Sequence, residues 1–167
     1  MRRKDREVAD LQEIGGILRL CKTCHVAMVD DDTPYVVPLS YGFQFLDGSL
    51  DEFHDGSLGG GVLELYFHSA FEGRKIVVLR RNSKVCFEMA HEGEPIKSED
   101  PCGYGYNFAS VIGFGEAVFL EDVDEKCEAL SIIFKHQTGE DVLFNAEQAG
   151  SVCVFKVVST EFTGKRK

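Results

Sequence analysis

One short stretch of the sequence combines the residue types that can hold a phosphate group. No Lys or Arg occurs in residues 23–73, and the first positive charges after that gap are the adjacent Arg74 and Lys75. We predict that both lie in the opening turns of a helix, where free backbone N–H groups and the helix dipole favour an anion. Ser69 supplies a hydroxyl upstream, and Gly73 allows close backbone approach. The spacing therefore predicts a monophosphate site, although a solvated helix face explains the same charges equally well.

A proline interrupts a nearby run of strand-forming residues. Pro38 lies in the middle of the run from Tyr35 to Tyr41. Because proline cannot donate to a β-ladder, it marks an edge strand, a bulge or a place where the backbone faces a ligand. A flat ring with alternating donors and acceptors would suit the exposed amides around such a break. An edge strand without a ligand fits the same residues.

A third pattern, formed by Cys21, Cys24 and His25, matches the C-x-x-C-H signature of c-type haem attachment. That attachment needs export, and the basic start, residues 1–6, is followed by no continuous apolar stretch typical of a signal peptide. No second close cysteine pair completes a four-ligand zinc site. We therefore interpret the motif as a coincidence, predict no metal site, and expect the six cysteines to be reduced thiols.

Length and charge restrict the remaining function classes. The 167 residues, 44% of them hydrophobic, fit one domain spanning residues 1–167. A net charge of −10 argues against a nucleic-acid partner, which needs clustered Lys and Arg. No segment is apolar for long enough to span a membrane. We therefore expect a cytoplasmic protein without a membrane partner.

Hydrophobic periodicity predicts a mainly β framework around these residues. The predicted strands are 25–29, 35–43, 62–68, 84–90, 108–120 and 152–162, and the predicted helices follow Asp10, span about 71–81 and follow Asp122. Residues 44–61, which contain two Asp-Gly pairs and three successive glycines, predict a long, acidic, mobile excursion. Six strands joined mostly by hairpin-length links favour a closed antiparallel barrel over a parallel α/β sheet.

Five blocks of sequence, in order along the chain, carry a family resemblance. They are Pro34–Leu39, Leu65–Ala70 with Gly73–Lys75, Asn82 with Val85–Glu88, Ser110–Ala117, and Thr163–Arg166. These blocks resemble the pyridoxamine-phosphate-oxidase-like FMN-binding split barrels, and within them the nitroimidazole-resistance (Nim) branch. The resemblance covers nearly the whole chain, and residues 66–75 are its most specific part.

The resemblance implies a mainly β, six-stranded antiparallel split β-barrel with a few flanking helices, which dimerises and binds FMN at the subunit interface. FAD or another flavin is also compatible with it. The cofactor-binding residues that it implies are Val36, Val37, Pro38, Leu39, Ser40, Tyr41, Phe67, His68, Ser69, Arg74, Lys75 and Ser110. In the Nim branch the histidine of this motif lies beside the flavin, so His68 is the candidate for proton delivery. A structural histidine at a strand end is the alternative.

The activity implied is that of an FMN-dependent oxidoreductase that reduces a small planar or nitroaromatic substrate with electrons from an external donor. A non-catalytic flavin-binding or storage module and a haem-binding split barrel are the alternatives. Phe71 stands where the branch usually has Pro. No Lys or Arg lies on the predicted strand 35–43, and the tail after Gly164 has no His. We therefore expect no pyridoxamine-phosphate oxidase activity.

Overall fold

The computed structural model describes residues 3–46 and 61–167. Its strands are β1 (Glu7–Val8), β2 (Thr23–Asp30), β3 (Thr33–Ser40), β4 (Gly42–Leu46), β5 (Val62–Ser69), β6 (Lys84–Ile96), β7 (Gly105–Phe119) and β8 (Cys153–Arg166). Its α-helices are α1 (Leu11–Leu20), α2 (Arg74–Arg81), α3 (Val123–Thr138) and α4 (Ala146–Gly150). In this part of the chain, no helix has the length and apolar character needed to cross a membrane. The cytoplasmic location stays a prediction.

The eight strands of the described residues form one antiparallel sheet. Its order is β3-β2-β6-β7-β8-β5-β4, and the short β1 adds to β8. The long strands β6, β7 and β8 form its centre, while the β2–β3 hairpin and the β5–β4 pair form its two ends. β3 also approaches β5, although no backbone ladder joins them. The sheet therefore curls towards closure without a complete ring of hydrogen bonds, which confirms the predicted split barrel.

Inward-facing side chains of alternate strand positions fill the barrel. On β5, Leu65 and Phe67 are fully buried, and Phe67 stacks on Phe155 of β8 with ring centroids 5.2 Å apart. The outward positions of β5 differ from one another. Tyr66 packs in a second apolar cluster under α3, whereas His68 is exposed. β5 therefore delivers a polar side chain to the outer surface of the barrel near its end.

Two helices begin at their predicted caps. The carboxylate of Asp10 accepts a hydrogen bond from the backbone N–H of Glu13 at 2.9 Å, at the start of α1. The carboxylate of Asp122 accepts from the N–H groups of Asp124 and Glu125 at 2.9 and 3.0 Å, at the start of α3. Each cap satisfies N–H groups that have no partner inside the helix. These local signals fix where both helices start.

The predicted strand 35–43 is in fact two strands. Tyr41, between β3 and β4, is fully buried, and its hydroxyl donates to the carbonyl oxygen of Leu18 at 2.8 Å. At Gly42 a Cβ atom would lie 2.7 Å from the backbone of Ile132 in α3. Glycine therefore lets the chain pass closely under α3 from one end of the sheet to the other. This division, together with β1, gives eight strands where six were predicted.

Other boundaries also differ from the prediction. α2 begins at Arg74 instead of about residue 71, because Gly73 has a φ of 132°, which no helical residue adopts. Residues 44–46 of the predicted acidic excursion belong to β4, and both Asp-Gly pairs lie outside the described residues. The predicted loop 137–150 contains the short helix α4. β6 and β8 run further than predicted, since their ends pair with β7.

Candidate functional site

A groove of about 590 Å³ lies on the outside of the barrel, between strand ends and the helices α3 and α4. It is lined by Ser40, His68, Leu130, Ile133, Phe134, Gln137, Phe144, Gln148, Ser151 and Val152. Apolar side chains from α3 form one wall, and a few hydroxyl, amide and imidazole groups converge on the same space. This size and this mixture of groups are typical of sites for small molecules and cofactors.

Side chains at the end of α3 fix the groove wall to the strands. Gln137 donates from Nε2 to the carbonyl oxygens of Tyr41 at 2.8 Å and of Lys22 at 3.1 Å. The ring of His136 packs on Tyr41 with centroids 4.6 Å apart and donates from Nε2 to the carbonyl oxygen of Cys21 at 2.9 Å. Burial lowers the pKa of His136, which favours its neutral form. These contacts hold α3 against the junction of β3 and β4.

Half of the predicted cofactor-binding strand faces outwards. The side chains of Val36, Pro38 and Ser40 are exposed, whereas Val37, Leu39 and Tyr41 pack against or within the barrel core. Pro38 is tolerated because β3 is an end strand of the sheet, where one edge of the backbone has no ladder partner. Of these residues the structure brings Ser40 to the groove. Val37, Leu39 and Tyr41 support the strand from the core side.

Three other predicted residues lie in different surroundings. The ring of Phe67 is fully buried against Phe155, so it supports the site from inside the barrel. Ser69 is buried, and its hydroxyl donates to the carbonyl oxygen of Ala70 at 2.9 Å. Ser110 is half-buried on β7, beside Lys165 of β8, and it does not line the groove. The structure therefore brings together Ser40 and His68 but not Ser110.

The predicted phosphate site, residues 69–75, is called the phosphate corner below. It contains a helix start without a side-chain cap. Gly73 is the N-cap of α2, and no side chain accepts from the first turn within the described residues. The backbone N–H groups of Arg74 and Lys75 therefore point from the helix end without an intrahelical partner. Together with the dipole and the two positive side chains, they form an arrangement suited to an anion.

Arg74 has two contacts that the sequence analysis did not anticipate. Its Nε donates to Oδ2 of Asp30 at 2.8 Å, and its guanidinium carbon lies 4.4 Å from the ring centroid of Tyr35. Arg81, at the other end of α2, binds the second oxygen of Asp30. Hydrogen bonds from the two guanidinium groups hold the pKa of the Asp30 carboxyl below its usual range. Asp30 thus ties α2 to the β2–β3 hairpin.

The C-x-x-C-H residues do not converge on a common centre. Cys24 points into the core and Cys21 is buried at the end of α1, whereas His25 is exposed and its Nδ1 lies 3.2 Å from Glu88 Oε2. Burial raises the pKa of the Cys21 thiol to about 11 and that of Cys24 further still. Within residues 3–46 and 61–167, no cluster of three or more His, Cys, Asp or Glu side chains could hold a metal ion. Cys21 and Cys24 therefore pack in the core.

Comparison with known proteins assigns the fold to a family. Residues 10–166 match the family model described as pyridoxamine 5'-phosphate oxidase. The chain belongs to this family. A crystal structure assigned to a 5-nitroimidazole antibiotic resistance protein of Bacteroides thetaiotaomicron is 30% identical over 96% of this chain and 86% of its own, with a TM-score of 0.75. This similarity supports the Nim branch of the pyridoxamine 5'-phosphate oxidase family.

More distant members of the same fold are proteins named for flavin or haem. A FAD- and haem-binding protein of Mycobacterium smegmatis is 13% identical over 97% of this chain and 73% of its own, with a TM-score of 0.74. A FAD-binding protein of Mesorhizobium loti is 21% identical over 97% of both chains, with a TM-score of 0.62. At these identities the comparison shows a shared fold. No match was found among curated proteins.

Proposed function

We propose that this chain binds FMN in the groove and at the adjoining corner, and uses it to reduce a small planar acceptor of the nitroaromatic class. The observation that carries the proposal is the continuity of the two features. His68 lines the groove, and the next residue, Ser69, ends β5 at the turn that leads to the start of α2. A groove-lining residue thus lies six residues before a positively charged helix end, an arrangement that suits the ring and the phosphate of a flavin mononucleotide.

The residues present fit this cofactor. The groove, at about 590 Å³, is within the range of cofactor sites, and the side chains of Leu130 and Phe134 offer an apolar wall for a flat ring. The start of α2, with Arg74 and Lys75, would hold the phosphate. Arg74 would exchange its exposed contact with Asp30 for phosphate oxygens. The names of the distant flavin-binding relatives support the same class of ligand.

Bound FMN would supply the electron-transfer chemistry. The chain itself would exclude water with α3 and α4, orient the ring along the groove, and hold a proton on the imidazole of His68. That imidazole is exposed and lines the groove, so it can reach an acceptor placed there. The similarity to a protein assigned to 5-nitroimidazole resistance supports a nitroaromatic acceptor.

A homodimer would complete the site. Three large apolar side chains on one outward face of β7, those of Ile112, Phe114 and Val118, are 48%, 51% and 44% exposed. Ser110 precedes this run on the same face, by strand alternation. A second copy of the chain packed on this face would bury the apolar residues and bring Ser110 to the interface. Light scattering of the purified protein tests the dimer directly.

The first experiment is an absorbance spectrum of the purified protein, followed by titration with FMN and with FAD. We expect a flavin spectrum or saturable FMN binding, then bleaching by NADH or NADPH and recovery of the spectrum when a nitroimidazole is added. Binding of FMN with no reduction by either nucleotide would support a storage module instead. A Soret band would support haem binding, and a colourless protein that binds neither flavin would contradict the proposal.

A further inference from the structure

Helix α3 carries a positive charge on the side that faces the groove. Lys126 precedes Leu130, Ile133 and Gln137 by four, seven and eleven residues, and these three residues line the groove. Residues at this spacing share one helical face. Gln137, which is hydrogen-bonded to Tyr41, lies at one end of this stripe. Lys126, in the opening turns of α3, lies at the other end. The apolar wall therefore ends in an ammonium group.

That ammonium group lies at the phosphate corner. Lys126 Nζ is 5.6 Å from the ring centroid of Phe71, which belongs to the turn between β5 and α2. Only 9% of Lys126 is exposed, and its Nζ makes no hydrogen bond to a described residue. No fully buried nitrogen or oxygen atom of the described side chains lacks a hydrogen-bond partner, so Nζ cannot be fully buried. The buried part of Lys126 is therefore its aliphatic stem, and its Nζ reaches the surface beside the corner.

No described carboxylate forms an ion pair with Lys126. The ion pairs found within residues 3–46 and 61–167 include neither Lys126 nor the two α2 cations Lys75 and Arg80. Burial raises the pKa of the Cys153 thiol; the charges of Arg80, Lys126 and Lys75 oppose that rise, and Glu121 reinforces it. Cys153 pairs in register with the buried Ser69 at the end of β5. The positive charges that act on this strand end thus come from two helices, α2 and α3, and outnumber the one carboxylate, Glu121.

The contacts of Arg74 and Lys126 indicate different roles for these two cations. Arg74 is already bound to Asp30 and stacked on Tyr35, both on the β2–β3 hairpin. Lys126 approaches from α3, the helix that forms the groove wall. We infer that Lys126 is a phosphate-binding residue of the cofactor site, which acts with Lys75 across the corner and gives the groove its preference for a phosphorylated flavin over riboflavin. The inference rests on the proposed function and names a residue outside the sequence blocks of the family resemblance.

The test compares three variants of the full-length protein by fluorescence titration with FMN and with riboflavin. Lys126→Met keeps the buried stem and removes the charge, and Lys126→Arg keeps the charge. Lys135→Met is the matched control, since Lys135 lies on the same helix and pairs with Asp141 on the surface at 2.7 Å. We expect Lys126→Met to weaken FMN binding about ten-fold or more, the size of a lost charge-assisted contact, with riboflavin affinity unchanged. Lys126→Arg and Lys135→Met should bind both flavins like the wild type.

Each outcome decides the inference. Equal FMN affinity in the wild type and in Lys126→Met would overturn it and leave the proposed function intact, because Arg74 and Lys75 would then suffice. Equal losses for FMN and riboflavin would also overturn it, since Lys126 would then support the packing of α3 alone. A wild-type protein that binds neither flavin would remove the proposed function, and the inference with it. Thermal unfolding of each variant establishes that the fold is retained.

Discussion

Arg74 Nε donates to Asp30 Oδ2 at 2.8 Å, and this contact joins the helix at the predicted phosphate corner to the β2–β3 hairpin. Arg81 binds the other oxygen of the same carboxylate, so one aspartate holds both ends of α2. The Arg74 side chain remains 55% exposed, and exposed ion pairs contribute little to stability. Arg74 can therefore leave Asp30 for a phosphate at small cost.

The first prediction separates these two roles. Arg74→Ala should weaken FMN binding about ten-fold or more and leave riboflavin binding nearly unchanged, because riboflavin has no phosphate. Arg81→Ala, which removes the other contact to Asp30, is the matched control and should leave both affinities close to wild type. Flavin fluorescence titration measures all four constants. Similar decreases in FMN affinity in the two variants would show that the contact with Asp30, and not a phosphate contact, accounts for the effect.

Glu64 is a buried carboxylate whose ionisation supports the fold. It accepts hydrogen bonds from Lys156 Nζ at 2.6 Å, Gln44 Nε2 at 3.1 Å and the hydroxyl of Tyr66. Burial alone would raise the pKa of Glu64, but these bonds together lower it below its ordinary value of 4.5. A lowered folded-state pKa adds stability above the unfolded-state value, and that stability is lost as the pH falls through the folded-state value. The acid side of the stability profile therefore depends on Glu64.

We predict that the wild type loses stability below about pH 4.5 more steeply than Glu64→Gln does, as urea unfolding across that range would show. At neutral pH, Lys156→Met should cost about 3 kcal/mol, because it leaves the Glu64 carboxylate buried without its cation. Lys135→Met removes an exposed partner of Asp141 and should cost less than about 1 kcal/mol. Equal costs for the two lysine variants would contradict a stabilising role for the Glu64 network.

The sequence predicted those elements whose signals are local. Asp10 and Asp122 cap their helices through N–H groups two or three residues away, so the pattern of the chain contains the whole interaction. The break at Tyr41 depends instead on Leu18 and on the backbone of Ile132, which lie far away in the sequence. Strand propensity across residues 35–43 is continuous, and nothing in it marks the place where α3 crosses.

The candidate site likewise combines local signals, which the sequence shows, with contacts between distant residues, which it does not show. The corner carrying Arg74 and Lys75 was identifiable because its charges are adjacent in the sequence. Its contact with Asp30 spans 44 residues, and the groove wall comes from α3, which the amphipathic pattern predicted as a helix without showing what it covers. In the sequence, nothing distinguished Lys126 from the other charged residues of that helix. Its aromatic contact with Phe71 could have been found only from tertiary structure.

Thiol reactivity tests whether the cysteines of the C-x-x-C-H motif are buried in the folded protein. Cys24 is fully buried with a raised pKa, whereas Cys102 is exposed at the turn before β7. Because the thiolate is the reactive form and must be accessible, Ellman's reagent should modify Cys102 first and Cys24 only after unfolding. Cys102→Ser should remove the fast phase, and Cys24→Ser should leave it unchanged. A fast phase that disappears in Cys24→Ser would contradict the packing role of the motif.

His68 is tested by separating flavin binding from turnover. His68→Gln should change FMN affinity less than about two-fold, because glutamine keeps a hydrogen-bonding side chain in the groove, and should slow oxidation of the reduced protein by a nitroimidazole about a hundred-fold, the usual scale of a lost general acid. Stopped-flow absorbance measures both half-reactions. His25→Gln is the control, since His25 is also exposed on a strand but lies outside the groove. Unchanged oxidation accompanied by a lower melting temperature would identify His68 as structural, since an imidazole that only supports the strand end affects folding and not proton transfer.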